Sequence, residues 1–340
     1  HLCRPNIFGR HGFNTVQSAP APSQVRELAM SEITQNASPT TRFEELPDAP
    51  PKRKIKLSWA GKGGVVVLIF WAIIVAIGPT ISPYHEADIL DEELFVVPGG
   101  DEYPDTDFLP PSKIVLLGTD YLGRDTLSRI LYGARTTIGI SFIATLWAYV
   151  IGVTLGIAAA VGSKVLDTIL SRLNDALLSL PSLMMALVMI AALGSTIPLL
   201  ILLTGIIYAA SVFRIARSLG QEVMVSDFVE AARVRGEGLW WIITREILPN
   251  IAMPLATDFG LRFVWIILFI SALSFLGLGV QPPMSDWGSM VKENLPGLIY
   301  GSIAPIVPSL AIATLTISVN MIVDDISAHS GGKLAKRMIS

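Results

Sequence analysis

Charged residues and glycines are concentrated in one stretch, LLGTDYLGRDTLSRILYGAR, which runs from Leu116 to Arg135. A glycine-containing loop with arginines can bind phosphate, and carboxylates in such a loop can act as acids or bases. A third possibility is that the stretch starts a membrane helix, because a long uncharged run begins at residue 136. The residues that could do this chemistry are Gly118, Thr119, Asp120, Gly123, Arg124 and Asp125.

The composition of the chain favours a membrane protein. Of its 340 residues, 51% are hydrophobic and 16% are charged, whereas about a quarter of the residues in soluble domains are charged. A net charge of −3 gives no reason to expect a nucleic-acid partner. The single cysteine, Cys3, excludes a cysteine metal cluster, and the four histidines lie outside the apolar segments. The sequence therefore predicts no metal site and no cofactor in this chain.

Six segments are long and apolar enough to cross a bilayer, since a helix needs about 20 apolar residues to do so. They cover residues 63–82, 136–163, 176–193, 198–216, 252–285 and 303–325. With the N-terminus inside, the inner segments carry 15 lysines and arginines and the outer segments carry 4. Because positively charged segments stay in the cytoplasm, we predict an all-α membrane protein with six transmembrane helices, N-in and C-in.

The segments between these helices divide the chain into regions. Residues 1–50 are rich in Pro, Ser, Thr and Ala, which predicts disorder. Met30 is a plausible native start, which would make residues 1–29 an upstream extension or an expression artefact. The remaining predicted regions are a cytoplasmic anchor with the first helix (51–82), an extracytoplasmic loop ending in a short amphipathic helix (83–133), a five-helix domain (134–326) and a cytoplasmic tail (327–340).

A polar stretch, SDFVEAARVRGEGLWWIITREILPN, interrupts the apolar segments at residues 226–250. A helix is expected to begin at Ser226 or Asp227 and to stop at Gly236, which tolerates a positive φ angle. A second short helix is expected to begin at Leu239 and to end near Pro249. Two short helices joined by glycine predict a compact knob on the cytoplasmic side, which we call the coupling knob (226–250).

The coupling knob resembles the EAA loop in permease subunits of binding-protein-dependent ABC importers. The shared pattern is Glu-Ala-Ala, three residues, Gly, a further stretch, and then Ile-Leu-Pro. Two further segments, Leu116–Arg135 and LSFLGLGVQPPMSDWGSMV at 273–291, resemble the dipeptide, oligopeptide and nickel branch of that family, and its C-type subunit in particular. The matching positions in the knob are Glu230, Ala231, Ala232, Gly236, Ile247, Leu248 and Pro249.

The resemblance implies a type I ABC importer permease fold in the bacterial inner membrane. It implies four kinds of neighbour: a second, homologous permease, two ATP-binding subunits, an extracytoplasmic solute-binding protein and the lipid bilayer. The chain has no GxxxxGK[ST] loop, so ATP and Mg would be bound by the partner ATPases, and the chain itself would be no enzyme. Di- or oligopeptides are the expected solutes, with nickel, opines or another small solute as alternatives.

The resemblance also implies roles for the residues of the coupling knob. Glu230 would offer its charge to the ATPase, or it would cap its own helix. Ala231 and Ala232 would allow close packing, and Pro249 would mark the return of the chain into the membrane.

On the outer side, the stretch 116–135 would precede the second helix, which excludes ATP binding there. We expect Asp125 or Thr126 to cap a short interfacial helix. Arg124, Arg129 and Arg135 would lie among lipid headgroups or pair with Asp120 and Asp125. This helix would either brace an outer gate or contact the second permease, or it would serve only as an interfacial anchor.

Polar residues within the apolar segments leave further alternatives open. Asp258 and Arg262 are one helical turn apart and can pair, either as a functional intramembrane pair or as a snorkelling pair at the interface. An ion-coupled secondary transporter remains the main rival to an ATP-driven importer. Candidates for the lining of a solute path, or for interhelical hydrogen bonds, are Asn174, Thr204, Ser211, Thr316 and Asn320.

Overall fold

The computed structural model describes residues 58–95 and 106–337, and it describes side chains up to Ala328 except at 92 and 93. The predicted disordered segment 1–50 therefore lies outside the described residues. Within these ranges the chain is helical and contains no β-strand. The helices are α1 (Trp59–Ile81), α2 (Thr126–Val161), α3 (Lys164–Leu178), α4 (Ser182–Leu193), α5 (Ile197–Met224), α6 (Asp227–Val234), α7 (Leu239–Phe275), α8 (Trp287–Asn294) and α9 (Ile306–Arg337).

Five of these helices, α1, α2, α5, α7 and α9, are long and apolar enough to span a membrane. Helices α3 and α4 form a pair bent by 81°, and they provide a sixth span if the pair is counted as one. The predicted fold class, an all-α membrane protein, is confirmed.

The third predicted span, 176–193, differs from the structure in its course. Helix α3 begins at Lys164 and ends at Leu178, and α4 begins only after Pro181. Proline disfavours helical backbone in the residue before it, which explains the break. Twelve residues in α4 extend about 18 Å, less than the ~30 Å of a hydrocarbon core. The predicted inner loop at 163–174 is thus mostly the amphipathic helix α3.

The predicted short amphipathic helix before the second span is not a separate element. Its residues form the first turns of α2, which is 36 residues long. The expected cap is confirmed, because the Asp125 carboxylate accepts a hydrogen bond from the Ser128 N–H at 2.8 Å. Helix α2 therefore connects the outer loop directly with the membrane bundle.

Helices α2 and α5 pack closely through small residues. A Cβ atom on Gly152 would lie 2.6 Å from the Val212 Cβ, and one on Gly156 would lie 2.8 Å from the Ala216 Cβ. Small residues at such contacts let helix backbones approach each other closely in a membrane. Helix α7 completes the bundle, since it contributes residues to all three apolar clusters of the core.

The glycine contact provides a test of this packing. Gly156→Val should lower the unfolding free energy by about 2 kcal/mol, since overpacking in a tight contact costs roughly 1–3 kcal/mol. The matched control is Gly139→Val in the same helix, because a Cβ at Gly139 has no described neighbour within 4 Å. Thermal unfolding of the detergent-solubilised protein measures both variants, and equal midpoints would contradict the close α2–α5 contact.

Candidate functional site at the two ends of the bundle

Four alternating charges form a buried cluster at the N-terminal end of α2, which we call the outer charge cluster after its predicted side of the membrane (Asp120, Arg124, Arg129 and Glu293). The Asp120 carboxylate accepts hydrogen bonds from the Arg124 Nε, at 2.8 Å, and from the Arg129 Nη1. Glu293 of α8 pairs with the Nη2 atoms of Arg124 and Arg129 at 3.3 and 3.1 Å. Asp120 is fully buried and Arg129 is 2% exposed. Because two positive and two negative charges compensate each other here, the cluster can be buried.

This arrangement decides between the alternatives for the arginines. Arg124 and Arg129 are buried against Asp120 rather than placed among lipid headgroups. Asp125 forms no described ion pair with an arginine and instead caps α2. Sequence reasoning missed Glu293, which lies 164 residues after Arg129 and carries no local signal of this contact.

The glycines of the outer motif allow tight turns. Gly118 and Gly123 have φ angles of +76° and +74°, which glycine adopts at little cost. The Thr119 hydroxyl donates to the Thr106 carbonyl at 2.6 Å and accepts from the Leu109 N–H at 2.7 Å. The motif is therefore a folded turn bonded to its own loop, with no geometry that indicates a phosphate site.

Helix α8 is docked against the outer half of α2. The buried Trp287 donates from its Nε1 to the Ile130 carbonyl at 3.2 Å, and its ring lies 4.8 Å from that of Trp71 in α1. Asp286 caps α8 and accepts a hydrogen bond from the Thr137 hydroxyl at 2.8 Å. Burial raises the pKa of Asp286, and the hydrogen bonds that its carboxylate accepts offset only part of this rise. These contacts fix the outer loop to the bundle.

At the other end of the bundle, the coupling knob has the predicted glycine stop. Gly236 has a φ angle of +84°, and its N–H donates to the Arg233 carbonyl at 2.9 Å. The Glu237 N–H donates to the Ala232 carbonyl at 3.1 Å. This pair of bonds is the Schellman arrangement that ends helices at glycine.

The two alanines of the knob have different surroundings. Ala232 is fully buried beside Val229, in a cluster with residues of α2, α5 and α7. Its close packing is thus internal to this chain. Ala231 and Glu230 are exposed, and the Glu230 carboxylate makes no described hydrogen bond to its own helix. Leu248 is half-buried and Pro249 is exposed.

Large apolar side chains on the knob, and one directly before it, are not covered by other described residues of this chain. We call them the apolar rim, and Trp240 is 77% exposed. Unlike the exposed apolar side chains of the spanning helices, these lie in a polar stretch, where an exposed apolar patch can mark an interaction site. The members are Val225, Phe228, Val234, Leu239 and Trp240.

Comparison with known proteins places this architecture in a family. The family model for the binding-protein-dependent transport system inner membrane component matches residues 152–334, more than half of the chain. The chain belongs to this family. It is a permease subunit of an ABC importer, a multi-pass protein of the bacterial inner membrane, and its family is one of transport subunits.

Relatives of this permease carry transport names. The glutathione transport system permease protein of Pectobacterium atrosepticum is 33% identical over 214 residues, which are 63% of this chain and 71% of that protein. The dipeptide transport system permease protein of Alkalihalophilus pseudofirmus is 30% identical over 263 residues, 77% of this chain and 82% of that protein. A peptide transport system permease protein of Escherichia coli is 32% identical over 259 residues, 75% of this chain and 84% of that protein.

The prediction that a short helix ends near Pro249 is wrong for this permease. Helix α7 runs on from Leu239 to Phe275, with a wider π-helical stretch at Ile242–Ile247. There the Leu248 N–H donates to the carbonyl of Ile243, five residues earlier. Pro249 follows this stretch and lacks an N–H donor. We attribute the wider turn to this missing donor. The coupling knob is therefore continuous with a membrane helix.

The permease also contains the predicted Asp258–Arg262 pair. The Arg262 Nε lies 3.3 Å from the Asp258 Oδ1, and the Tyr149 hydroxyl donates to Asp258 at 2.5 Å. The pair thus joins α7 to α2 inside the bundle. Of the other polar candidates, Thr316 donates to its own helix, at the Ile312 carbonyl.

The outer charge cluster yields a second test. Asp120→Asn should lower the unfolding free energy of the permease by about 3 kcal/mol, because it leaves two buried arginines with one carboxylate. Asp91→Asn, on the exposed surface of the same outer region, is the matched control. Chemical unfolding of the purified permease compares the two variants, and a loss below about 1 kcal/mol for Asp120→Asn would show that the cluster is not the anchor of the outer loop.

Proposed function

We propose that this permease forms one half of a pore for small peptides and couples the pore to a cytoplasmic ATPase through the coupling knob. The observation that carries the proposal is the knob itself, which is anchored by buried residues and also bears the exposed apolar rim. The solute assignment is supported by the relatives, whose names include dipeptide and glutathione transport. These names favour peptides over nickel or opines.

The anchoring of the knob suits the transmission of movement. Val229 and Ala232 of α6 are fully buried against Ile157, Ala216 and Ile247, which belong to α2, α5 and the start of α7. A partner that moves the knob would therefore move the inner ends of three membrane helices together. In this proposal the apolar rim enters a cleft of the ATPase, and Glu230 offers its exposed charge there.

The same proposal assigns the other components of the importer. A second, homologous permease completes the pore, two ATP-binding subunits bind and hydrolyse ATP with Mg, and an extracytoplasmic binding protein delivers the solute. An N-in, C-in orientation places the coupling knob in the cytoplasm and the outer charge cluster on the opposite side. The absence of a GxxxxGK[ST] sequence from the chain supports the assignment of ATP hydrolysis to the partners.

Trp240 provides the test of coupling. Trp240→Ala should reduce solute-stimulated ATP hydrolysis by the assembled importer at least tenfold, since a buried aromatic anchor at an interface is worth about 2 kcal/mol or more. Expression and membrane insertion should be unchanged, because Trp240 is 77% exposed in this chain.

The control variant is Trp59→Ala, which removes a tryptophan that is 88% exposed at the start of α1, far along the chain from the knob. Co-purification of the ATPase with each variant gives a second measurement. Full ATPase binding and full stimulation in Trp240→Ala would contradict the role of the apolar rim.

A further inference from the structure

A polar cavity of about 600 Å³ lies between α3, α5 and α7, and its lining contains no residue of the coupling knob or of the outer charge cluster. Its lining includes Ser171 and Asn174 of α3, Ser211 and Arg214 of α5, and Arg262 of α7. Most of these groups are hydrogen-bond donors, and a cluster of donors is unusual on a helix face that meets only lipid. The lining of the cavity is therefore suited to a ligand that accepts hydrogen bonds.

One donor in the lining is buried and unsatisfied. Asn174 is 6% exposed, and its Nδ2 has no hydrogen-bond partner among the described residues. Leaving such a group unpaired costs about 1–3 kcal/mol. A molecule in the cavity that accepts a hydrogen bond from Asn174 would remove this cost.

The arginines that line the cavity differ in whether they have a carboxylate partner. Arg217 forms a bidentate pair with Asp167, and Arg262 bonds Asp258 through its Nε. Arg214 has no carboxylate within 4 Å in the part of the chain that the structure describes. Asp175 also lines the cavity, but it forms no described ion pair. Arg214 thus remains available to an external anion.

A second, apolar cavity of about 520 Å³ adjoins the polar one. Asn174 and Phe213 line both cavities, and Leu155, Leu173 and Ile206 line the apolar one. A molecule that bridges the two would present an anionic group to Arg214 and an apolar group to these side chains. A short peptide has this combination in its terminal carboxylate and an adjacent side chain.

We propose that the polar cavity is an oxyanion-binding subsite which holds the carboxylate of the solute as it passes through the permease. Arg214 supplies the charge, the Asn174 amide and the Ser211 hydroxyl donate hydrogen bonds, and the apolar cavity receives a side chain. The inference rests on the proposed transport of peptides. The phosphate of an anionic lipid shares the same oxyanion chemistry, so the test must separate the two sources.

Binding of dialanine to the detergent-solubilised, assembled importer, followed by saturation-transfer NMR, tests the subsite. Dialanine should bind, and dialaninamide, which lacks the carboxylate, should bind about tenfold more weakly, as expected for one charged hydrogen bond. Arg214→Gln should weaken dialanine binding by a similar factor, and Arg214→Lys should restore part of it. The matched control is Arg172→Gln, which removes an exposed arginine of α3 that does not line the cavity.

Equal binding of dialanine and its amide, or unchanged binding in Arg214→Gln, would overturn the proposal. Native mass spectrometry of the same importers measures whether an anionic lipid occupies the cavity instead. Phosphatidylglycerol retained by the unmodified importer and lost from Arg214→Gln, without dialanine binding, would assign the cavity to lipid and overturn its assignment to the solute. ATP hydrolysis by the unmodified importer separates the two claims, because an importer that hydrolyses ATP normally but does not bind dialanine contradicts only the subsite.

Discussion

The close contact between α2 and α5 is the constraint on which the other features of the permease depend. Gly152 and Gly156 leave no room for a side chain at this contact, because a Cβ would lie within 3 Å of α5. The outer charge cluster is attached to the first turns of α2, and the coupling knob packs on Ile157 and Ala216 at the inner ends of the pair. Helix α5 also supplies Ser211 and Arg214 to the polar cavity. A rigid α2–α5 pair therefore connects all three sites.

The placement of charge follows the cost of burying it. Within the described residues, the buried aspartates are compensated by arginines or hydrogen bonds: Asp120 in a four-charge cluster, Asp125 with Ser128, Asp258 with Arg262 and Tyr149, and Asp286 with Thr137. Such pairing is expected where hydration is lost. The buried Asn174, whose Nδ2 has no partner among the described residues, departs from this pattern of compensation, and the exposed Arg214 lines the same cavity without a described carboxylate partner. An unpaired buried donor beside an available positive charge is the physical reason to associate the cavity with a ligand.

Sequence reasoning succeeded where local chemistry determines structure. The apolar segments predicted the membrane helices, Asp125 was one of two predicted caps for α2, and Gly236 was the predicted stop of α6. It failed where a long-range contact or a neighbouring turn changed the outcome. Pro249 does not end a helix, because a π-helical stretch precedes it, and Glu293 pairs with Arg129 across 164 residues. The burial of Ala232 within its own chain also depends on tertiary packing that a motif cannot show.

The central claim is that this permease moves solute by coupling to ATP hydrolysis through the coupling knob. Uptake of a labelled dipeptide into proteoliposomes that contain the assembled importer and its binding protein measures this directly, with ion gradients dissipated by ionophores. The account predicts uptake that requires ATP and the binding protein and that is unaffected by the ionophores. Uptake that proceeds without ATP and stops when the ion gradient is dissipated would contradict it.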